Sequence, residues 1–349
     1  MWPVIFMGEN MKTKIASLEL GRIIAMLAII GLHCQMALTY WQIDDIPWVG
    51  YLLNQMARFA VPLFFLISGY LIQPKLTSAP LVTLRNYAKP LLKIWLVWSV
   101  LSLLMPFNFQ VVAEHGYLAE RQGYWGYLAQ TPLNSLLEGG LVHLWFLPAL
   151  IIAVAVVTLF VHFQRQHWLL PIAALLYLYG VLAGSYQPLT DLASPFFTRN
   201  GPFFSTLLVA IGFMIREKNV RVSSTIAGGM FLVGLLVHLG QAYGLMGYDI
   251  AFNGHDFLFG TELWATGLFL LLLNYPQLGQ HPLTFALSPY VLGVYVCHLL
   301  VIILLMNIAG ILGFEGLSRD LFIYPMTIGL SMTLVWVLNH TPLQRYLLR

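Results

Sequence analysis

Arg22 and His33 stand eleven positions apart inside the first long apolar run of the chain, residues 18–37. At 100° per residue, eleven positions make about three helical turns, so both side chains leave one face, roughly 16 Å apart along the axis. An arginine offers a fixed fork of donors to a phosphate or carboxylate, and a histidine is a base near neutral pH. Ionisable groups in a segment bound for lipid are costly, and by default they mark a functional site. Glu19 lies one turn before Arg22 on the same face and is a ready counter-ion. That face therefore carries a cation near its start and a titratable base deep inside.

The composition fixes the setting in which these residues work. The chain of 349 residues is 59% hydrophobic and 9% charged, with a mean hydropathy of +0.78. Soluble domains carry about a quarter charged residues, so this is an integral membrane protein. Aromatic residues make up 14% and many flank the apolar runs, as side chains at a membrane interface do. Cys34 and Cys297 fall inside predicted helices, with neither a disulfide framework nor a metal-ligand spacing. Buried packing suits both better than nucleophilic chemistry. No metal site and no nucleic-acid partner is expected.

Stretches long enough to span occur at 18–37, 51–73, 90–107, 142–163, 168–184, 201–215, 224–244, 258–275, 287–310 and 321–338. The expected fold is an all-α polytopic bundle of about ten spanning helices with both termini cytoplasmic. Residues 1–14 read as an N-terminal tail, 15–340 as the membrane domain and 341–349 as a C-terminal tail. Glu19 and Arg22 interrupt the first run and no Ala-x-Ala site follows it, so it reads as a retained helix rather than a signal peptide. Met11, just before the pair Lys12 and Lys14, is an alternative start.

The basic residues set the orientation. Lys12, Lys14, Lys75, Arg85, Lys89, Lys93, Arg165, Arg216, Lys218, Arg221, Arg345 and Arg349 fall on one side. Only Arg121, Arg199 and Arg319 fall in the opposite loops, which are acidic. The positive side is the cytoplasmic one. The segment 108–141 is the longest without a span, and its piece from Tyr124 to Leu137 reads as lying along or dipping into the outer interface.

Depth then sorts the polar groups, at about 1.5 Å per residue. His33 lies about 22 Å along its helix, towards the outer leaflet, and Arg58 about 10 Å below the outer face. His143 and Glu262 open descending helices, and His298 is near the midplane. An outer station of His33, Arg58, His143 and Glu262 faces an inner one of Arg22, Ser68 and a basic loop from Lys75 to Lys93. Arg58 and His143 suit oxyanion stabilisation or acceptor orientation, and equally helix–helix bonding. Glu262 suits orienting His33 or binding hydroxyl groups; His298 suits a packing hydrogen bond as well as a site. Ser68 reads as donor-binding or interhelical, Gly69 as a close helix contact and His238 as structural.

Four motifs follow one another along the chain: Glu19-Leu-Gly-Arg22 with His33 downstream, Arg58-x2-Val61-Pro-Leu-Phe-Phe-Leu-Ile-Ser68-Gly69-Tyr70, His143-Leu-Trp145-Phe146-Leu147, and Ser288 followed by Leu292-Gly-Val-Tyr295-Val-Cys-His298. This order resembles the acyltransferase-3 family of membrane acyltransferases over about residues 15–338. Glu19 stands where that family usually has Asp, which keeps the charge. The chain is most similar to the single-domain members, without the hydrolase-like domain that some carry.

The resemblance implies transfer of an acyl group, most often acetyl, from cytoplasmic acyl-CoA to a hydroxyl of a surface polysaccharide or lipid-linked glycan at a bacterial inner membrane. Acetyl-CoA is then a substrate, and no bound cofactor is expected. The polyanionic donor nucleotide would meet Arg22, Ser68, Lys75, Arg85, Lys89 and Lys93; for each basic residue alone, plain positive-inside bias explains its place as well. His33 would be the general base, with Arg22, Glu19, Arg58 and His143 completing the catalytic set and Glu262 and His298 touching the acceptor. Direct transfer and an acyl-histidine intermediate both fit. A transporter or flippase of a lipid-linked sugar is the alternative, although no repeated halves or paired broken helices are seen.

Overall fold

Each of the ten apolar stretches forms a helix in the computed structural model, which describes residues 14–348. The alternative start at Met11, Lys12 of the N-terminal tail, and Arg349 lie outside the described residues. Among the described residues, seven helices are long and apolar enough to cross a membrane: α1 (Ala16–His33), α2 (Trp48–Ser78), α3 (Pro80–Leu104), α4 (Val142–His162), α7 (Ser224–Tyr248), α9 (Pro282–Ile311) and α10 (Gly316–Asn339). Between them come the shorter apolar helices α5 (Gln166–Leu182) and α8 (Phe259–Asn274), and the 16-residue α6 (Pro202–Glu217). The architecture is all-helical, with no strand among the described residues.

The outward faces explain why this assembly belongs in lipid. Leu96, Val100 and Leu104 on α3, Leu232, Val233 and Leu236 on α7, and Leu330, Leu334 and Trp336 on α10 are all exposed. Contiguous apolar surface on that scale is unstable in water, and backbone amides satisfied within helices are what a bilayer interior requires.

Inside, close approach holds α2 against α6. A Cβ on Gly69 would lie 2.0 Å from the Val209 carbonyl oxygen, and one on Gly212 would lie 2.0 Å from that of Leu66. Small residues facing each other let two backbones meet where lipid supplies no hydrophobic drive. Gly69 is thus the close contact expected from its motif. An aromatic stack of Phe65, Phe146, Phe204 and Phe257 fills the space beside this contact.

Helix α1 runs through the middle of the bundle. At its start, Ser17 donates to the Leu272 carbonyl at the end of α8, 2.6 Å away. At its far end, the Ala37 amide donates to Asp320 on α10 at 2.7 Å. Left-handed backbone at Gln35 (φ 54°) and Ala37 (φ 56°) stops the helix just past His33.

Three of the helices that line the candidate site change pitch. A 3₁₀ turn, Ala57–Phe59, interrupts α2; another, Val142–Trp145, opens α4; a third, Ser288–Tyr290, lies within α9. Such tight turns inside longer helices re-aim side chains and recur at functional positions. The first carries Arg58 and the second His143.

Two expectations need correction. The basic loop from Lys75 to Lys93 is helical: α2 continues through Lys75 to Ser78, the chain breaks at Ala79, and α3 restarts at Pro80, where a missing N–H costs nothing. Arg121, read as a cation of an outer loop, is fully buried between the rings of Phe107 and Tyr124, 4.4 and 5.0 Å away, and paired with Glu120. Its segment folds into three short helices, Phe109–His115, Tyr117–Gln130 and Pro132–Glu138. At the other terminus, Gln344–Leu347 form a turn of helix against α3, where Trp98 Nε1 donates to the Leu347 carbonyl at 2.8 Å.

Candidate active site

The two polar residues of α1 open into two chambers. Arg22 lines a cavity of about 700 Å³ with Ser68, Lys75, Thr83, Asn86 and Tyr87. His33 lines a second cavity of about 170 Å³, with Arg58, His143, Trp145, Arg199, Phe204 and Asp256. Ile29, Val61, Phe146 and Tyr295 line both. The helical phase of α1 therefore does what its spacing requires, delivering a cation to one chamber and a base to the other.

At the smaller chamber three histidines converge. The ring of His33 lies 5.2 Å from His298 and 6.5 Å from His143, and those two rings are 5.0 Å apart. His298 Nδ1 faces the Tyr295 carbonyl at 2.6 Å, and His143 Nε2 faces the Val296 carbonyl at 3.2 Å. A carbonyl only accepts, so each of those nitrogens carries the proton when the ring is neutral. His298 Nε2 and His143 Nδ1 are then lone-pair nitrogens, and neither has a partner among the described residues. His143 and His298 are buried, whereas His33 is half-buried and lines the cavity. Tyr295 braces the cluster by donating its hydroxyl to the His143 carbonyl.

An ion network forms the opposite wall. Asp256 accepts from Arg58 Nη1 at 2.7 Å and from Arg199 Nη1 at 2.6 Å, bridging two guanidinium groups. Arg199 also donates to Glu138 at 2.7 Å, and Asn200 donates to the same oxygen at 3.1 Å. Burial by itself would raise the Asp256 carboxyl, but Arg199 and Arg58 beside it hold it down to about 2. The Nε–H groups of both arginines are buried without a partner among the described residues. They are donors in reserve in a wall whose charges otherwise balance.

In the larger chamber, Arg22 pairs with Glu19 at 3.2 Å, an i,i+3 contact on the α1 face. Ser68 and Lys75 join it. Arg85, Lys89 and Lys93 do not: they line a separate shallow surface of α3 with Leu92 and Leu96. Lys93 turns to the Arg345 carbonyl and lies 4.6 Å over the Tyr346 ring. Helical phase explains the split, since these residues recur every four positions along one stripe of α3, while Tyr87, Leu91 and Ile94 face inward.

The remaining expected site residues divide. His298 stands beside His33 without lining the cavity. Glu262 lines neither chamber; its carboxylate accepts from Thr266 on its own helix at 3.3 Å. His238 is held on both nitrogens, by Thr261 at 2.8 Å and Gln55 at 2.9 Å, as befits a structural group. Asp256, Arg199 and Glu138 were not singled out by the sequence. In loops rich in acids nothing in their spacing distinguishes them, and only the fold brings them to Arg58.

Comparison with known proteins bears on the same span. The model of the acyltransferase domain family matches residues 15–339. Among curated proteins, a serine/alanine racemase of Enterococcus gallinarum is 29% identical over 305 residues, covering 82% of this chain and 41% of that protein. Two amino-acid racemases of Enterococcus faecalis are each 25% identical, over 276 and 315 residues, covering 74% and 86% of this chain and 36% and 42% of those proteins. The chain thus spans less than half the length of these relatives. No solved structure matches. With the family model covering nearly the whole membrane bundle and both chambers within it, the chain belongs to the acyltransferase-3 family of membrane acyltransferases.

Proposed function

We propose that this protein moves a short acyl group, acetyl first of all, from cytoplasmic acyl-CoA to a hydroxyl of a surface polysaccharide or lipid-linked glycan at a bacterial inner membrane. The observation that carries the reading is the pair of chambers strung on α1, cationic around Arg22 and basic around His33, sharing walls between them. The Lys and Arg distribution supports a cytoplasmic position for the Arg22 chamber, on the side where acyl-CoA is made. About 700 Å³ is within the range of ligand pockets, and Arg22, Lys75 and Ser68 offer charge and hydrogen bonds to the donor.

In the smaller chamber the chemistry runs as follows. The acceptor hydroxyl enters beside His33, which takes its proton as the oxygen attacks the thioester carbon. The carbonyl oxygen becomes an oxyanion, and Arg58 and Arg199, which line the chamber and keep their Nε–H groups unpartnered, are the donors assigned to it. Collapse breaks the carbon–sulfur bond, and the proton on His33 passes to the departing thiolate. Ester and free CoA are the products. His298 presents a lone-pair nitrogen next to His33, placed to orient that ring. The relatives' names describe proteins more than twice as long as the segment they share with this chain, and racemisation is not part of this reading.

The test compares surface glycans by mass spectrometry in a deletion strain carrying either the wild-type gene or His33→Ala. The acyl group should be lost with the deletion, restored by wild type and absent with His33→Ala, at equal amounts of inserted protein. Full acylation with His33→Ala removes His33 as the base. Glycan movement in proteoliposomes lacking any acyl-CoA would favour the transporter instead.

A further inference from the structure

The wall between the chambers has a regular construction. Each of its four residues lies one helical turn from a polar residue of the histidine end: Ile29 before His33 on α1, Val61 after Arg58 on α2, Phe146 after His143 on α4, and Tyr295 before His298 on α9. Separations of three or four residues put the apolar side chain on the same face as its polar neighbour, about 5 Å away along each axis. Helices α1 and α9 run one way and α2 and α4 the other, yet all four residues fall on the Arg22 side of the polar ring. Together they make a collar of the residues that, among those described, line both chambers.

The collar is rigid. Tyr295 is fixed by its hydrogen bond to the His143 carbonyl, and its ring meets Phe146 edge-on at 5.4 Å. Phe146 leans in turn on Phe65 at 4.9 Å. Ile29 and Val61 are β-branched, with a single strongly preferred χ1 in a helix. Packed interiors of this kind do not widen to suit a guest.

Resting on the acyl-transfer reading above, we propose that Ile29, Val61, Phe146 and Tyr295 form a filter that selects the acyl group by its cross-section. A donor bound from the Arg22 chamber leads with its acyl end, so that end must pass the collar before its thioester reaches His33. An unbranched acyl chain is no wider than the arm that follows it, whereas branching next to the carbonyl adds a methyl group where the four side chains stand. The chamber beyond, about 170 Å³, also has to hold the acceptor hydroxyl, which keeps the acyl group short. One misplaced methyl or methylene in an apolar site changes rates by about 10–200-fold, which sets the scale of the selectivity.

The experiment uses the full-length protein in nanodiscs with lipid-linked glycans extracted from the source cells. Release of CoA thiol is measured from acetyl-CoA and from isobutyryl-CoA. Thermal stabilisation by the stable thioethers S-ethyl-CoA and S-isobutyl-CoA gives a readout without turnover. Wild type should prefer acetyl-CoA by roughly tenfold or more. Val61→Ala should lower that preference about tenfold and bring the stabilisation by S-isobutyl-CoA up to that by S-ethyl-CoA. Val61→Phe should abolish release while free CoA, whose bulk stays in the Arg22 chamber, still stabilises the protein. A wild-type ratio of the two donors in Val61→Ala overturns the filter, whether or not Val61→Phe folds. Wild type that releases thiol from neither donor overturns the acyl-transfer reading, and the filter with it.

Discussion

The two chambers on α1 are built on opposite principles. The Arg22 chamber is roomy and lightly braced: among the described residues its one ion pair is Glu19 with Arg22, and the Arg22 side chain keeps 28% of its surface exposed. The His33 chamber is about a quarter of that volume, and Arg58, Arg199, Asp256, His143 and His298 around it are each held by at least one hydrogen bond. Asp256 bridges Arg58 and Arg199, Glu138 holds Arg199, and backbone carbonyls fix His143 and His298. A site that only binds tolerates play, because a long charged side chain can follow its ligand. A site where charge develops does not, since donors must already point where the oxyanion will form. On the proposed reading, the difference in construction separates holding the donor from reacting with it.

Breaking the rigid side should cost most. Arg58→Ala is expected to lower kcat about 10²–10³-fold, with little change in the KM for acyl-CoA. A change confined to KM would move Arg58 out of the reaction. Asp256→Asn comes next, because it frees both guanidinium groups while preserving shape. We expect kcat to fall about tenfold and Tm to drop by a few degrees, consistent with weakening two charge-assisted hydrogen bonds. Because Asp256 ionises with a pKa near 2, its pairing is complete above the ordinary carboxylate range and is lost only as pH falls through about 2. Asp256 should therefore not titrate between pH 5 and 8, and the ratio of the wild-type to the Asp256→Asn rate should stay constant across that range; a ratio that changes with pH would make Asp256 a titrating group.

On the loose side the signature reverses. Arg22→Ala should raise the KM for acyl-CoA about tenfold, as one charge-assisted contact is removed, while kcat stays within a few-fold. If kcat falls as far as in Arg58→Ala, the two chambers do not divide the labour. The smallest effect belongs to Lys89→Ala, on the outer stripe of α3. Acyl-CoA kinetics should change by no more than about twofold, the usual yield of an exposed charge. A tenfold rise in KM there would bring the α3 stripe back into the donor site.

How much of this was legible beforehand differs from residue to residue. All ten apolar stretches became helices, because runs of apolar residues long enough to span are themselves the signal. Arg22 and His33 went to opposite chambers as their spacing required. Lys89 and Lys93 were grouped with Lys75 by sequence proximity alone, and the phase of α3 turned them away. Glu262 looked like a partner for His33 by depth, but depth says nothing of azimuth, and its carboxylate remains with Thr266. Asp256 and Arg199 were two more charges in the outer loops, while His298 was a histidine of uncertain direction until its ring was found 5.2 Å from His33.

The sequence by itself determined what one helix can determine: which apolar stretches are helical, and which residues share a face along each. Backbone hydrogen bonds reach only four residues, so that phase is a local property. Tertiary structure decided which faces meet. The three-histidine cluster, the Arg58–Asp256–Arg199 bridge and the collar of Ile29, Val61, Phe146 and Tyr295 each draw on several helices or loops distant in the chain. Their assembly depends on how side chains of different helices interdigitate, as at Gly69 and Gly212, where a single methyl group would push two backbones apart.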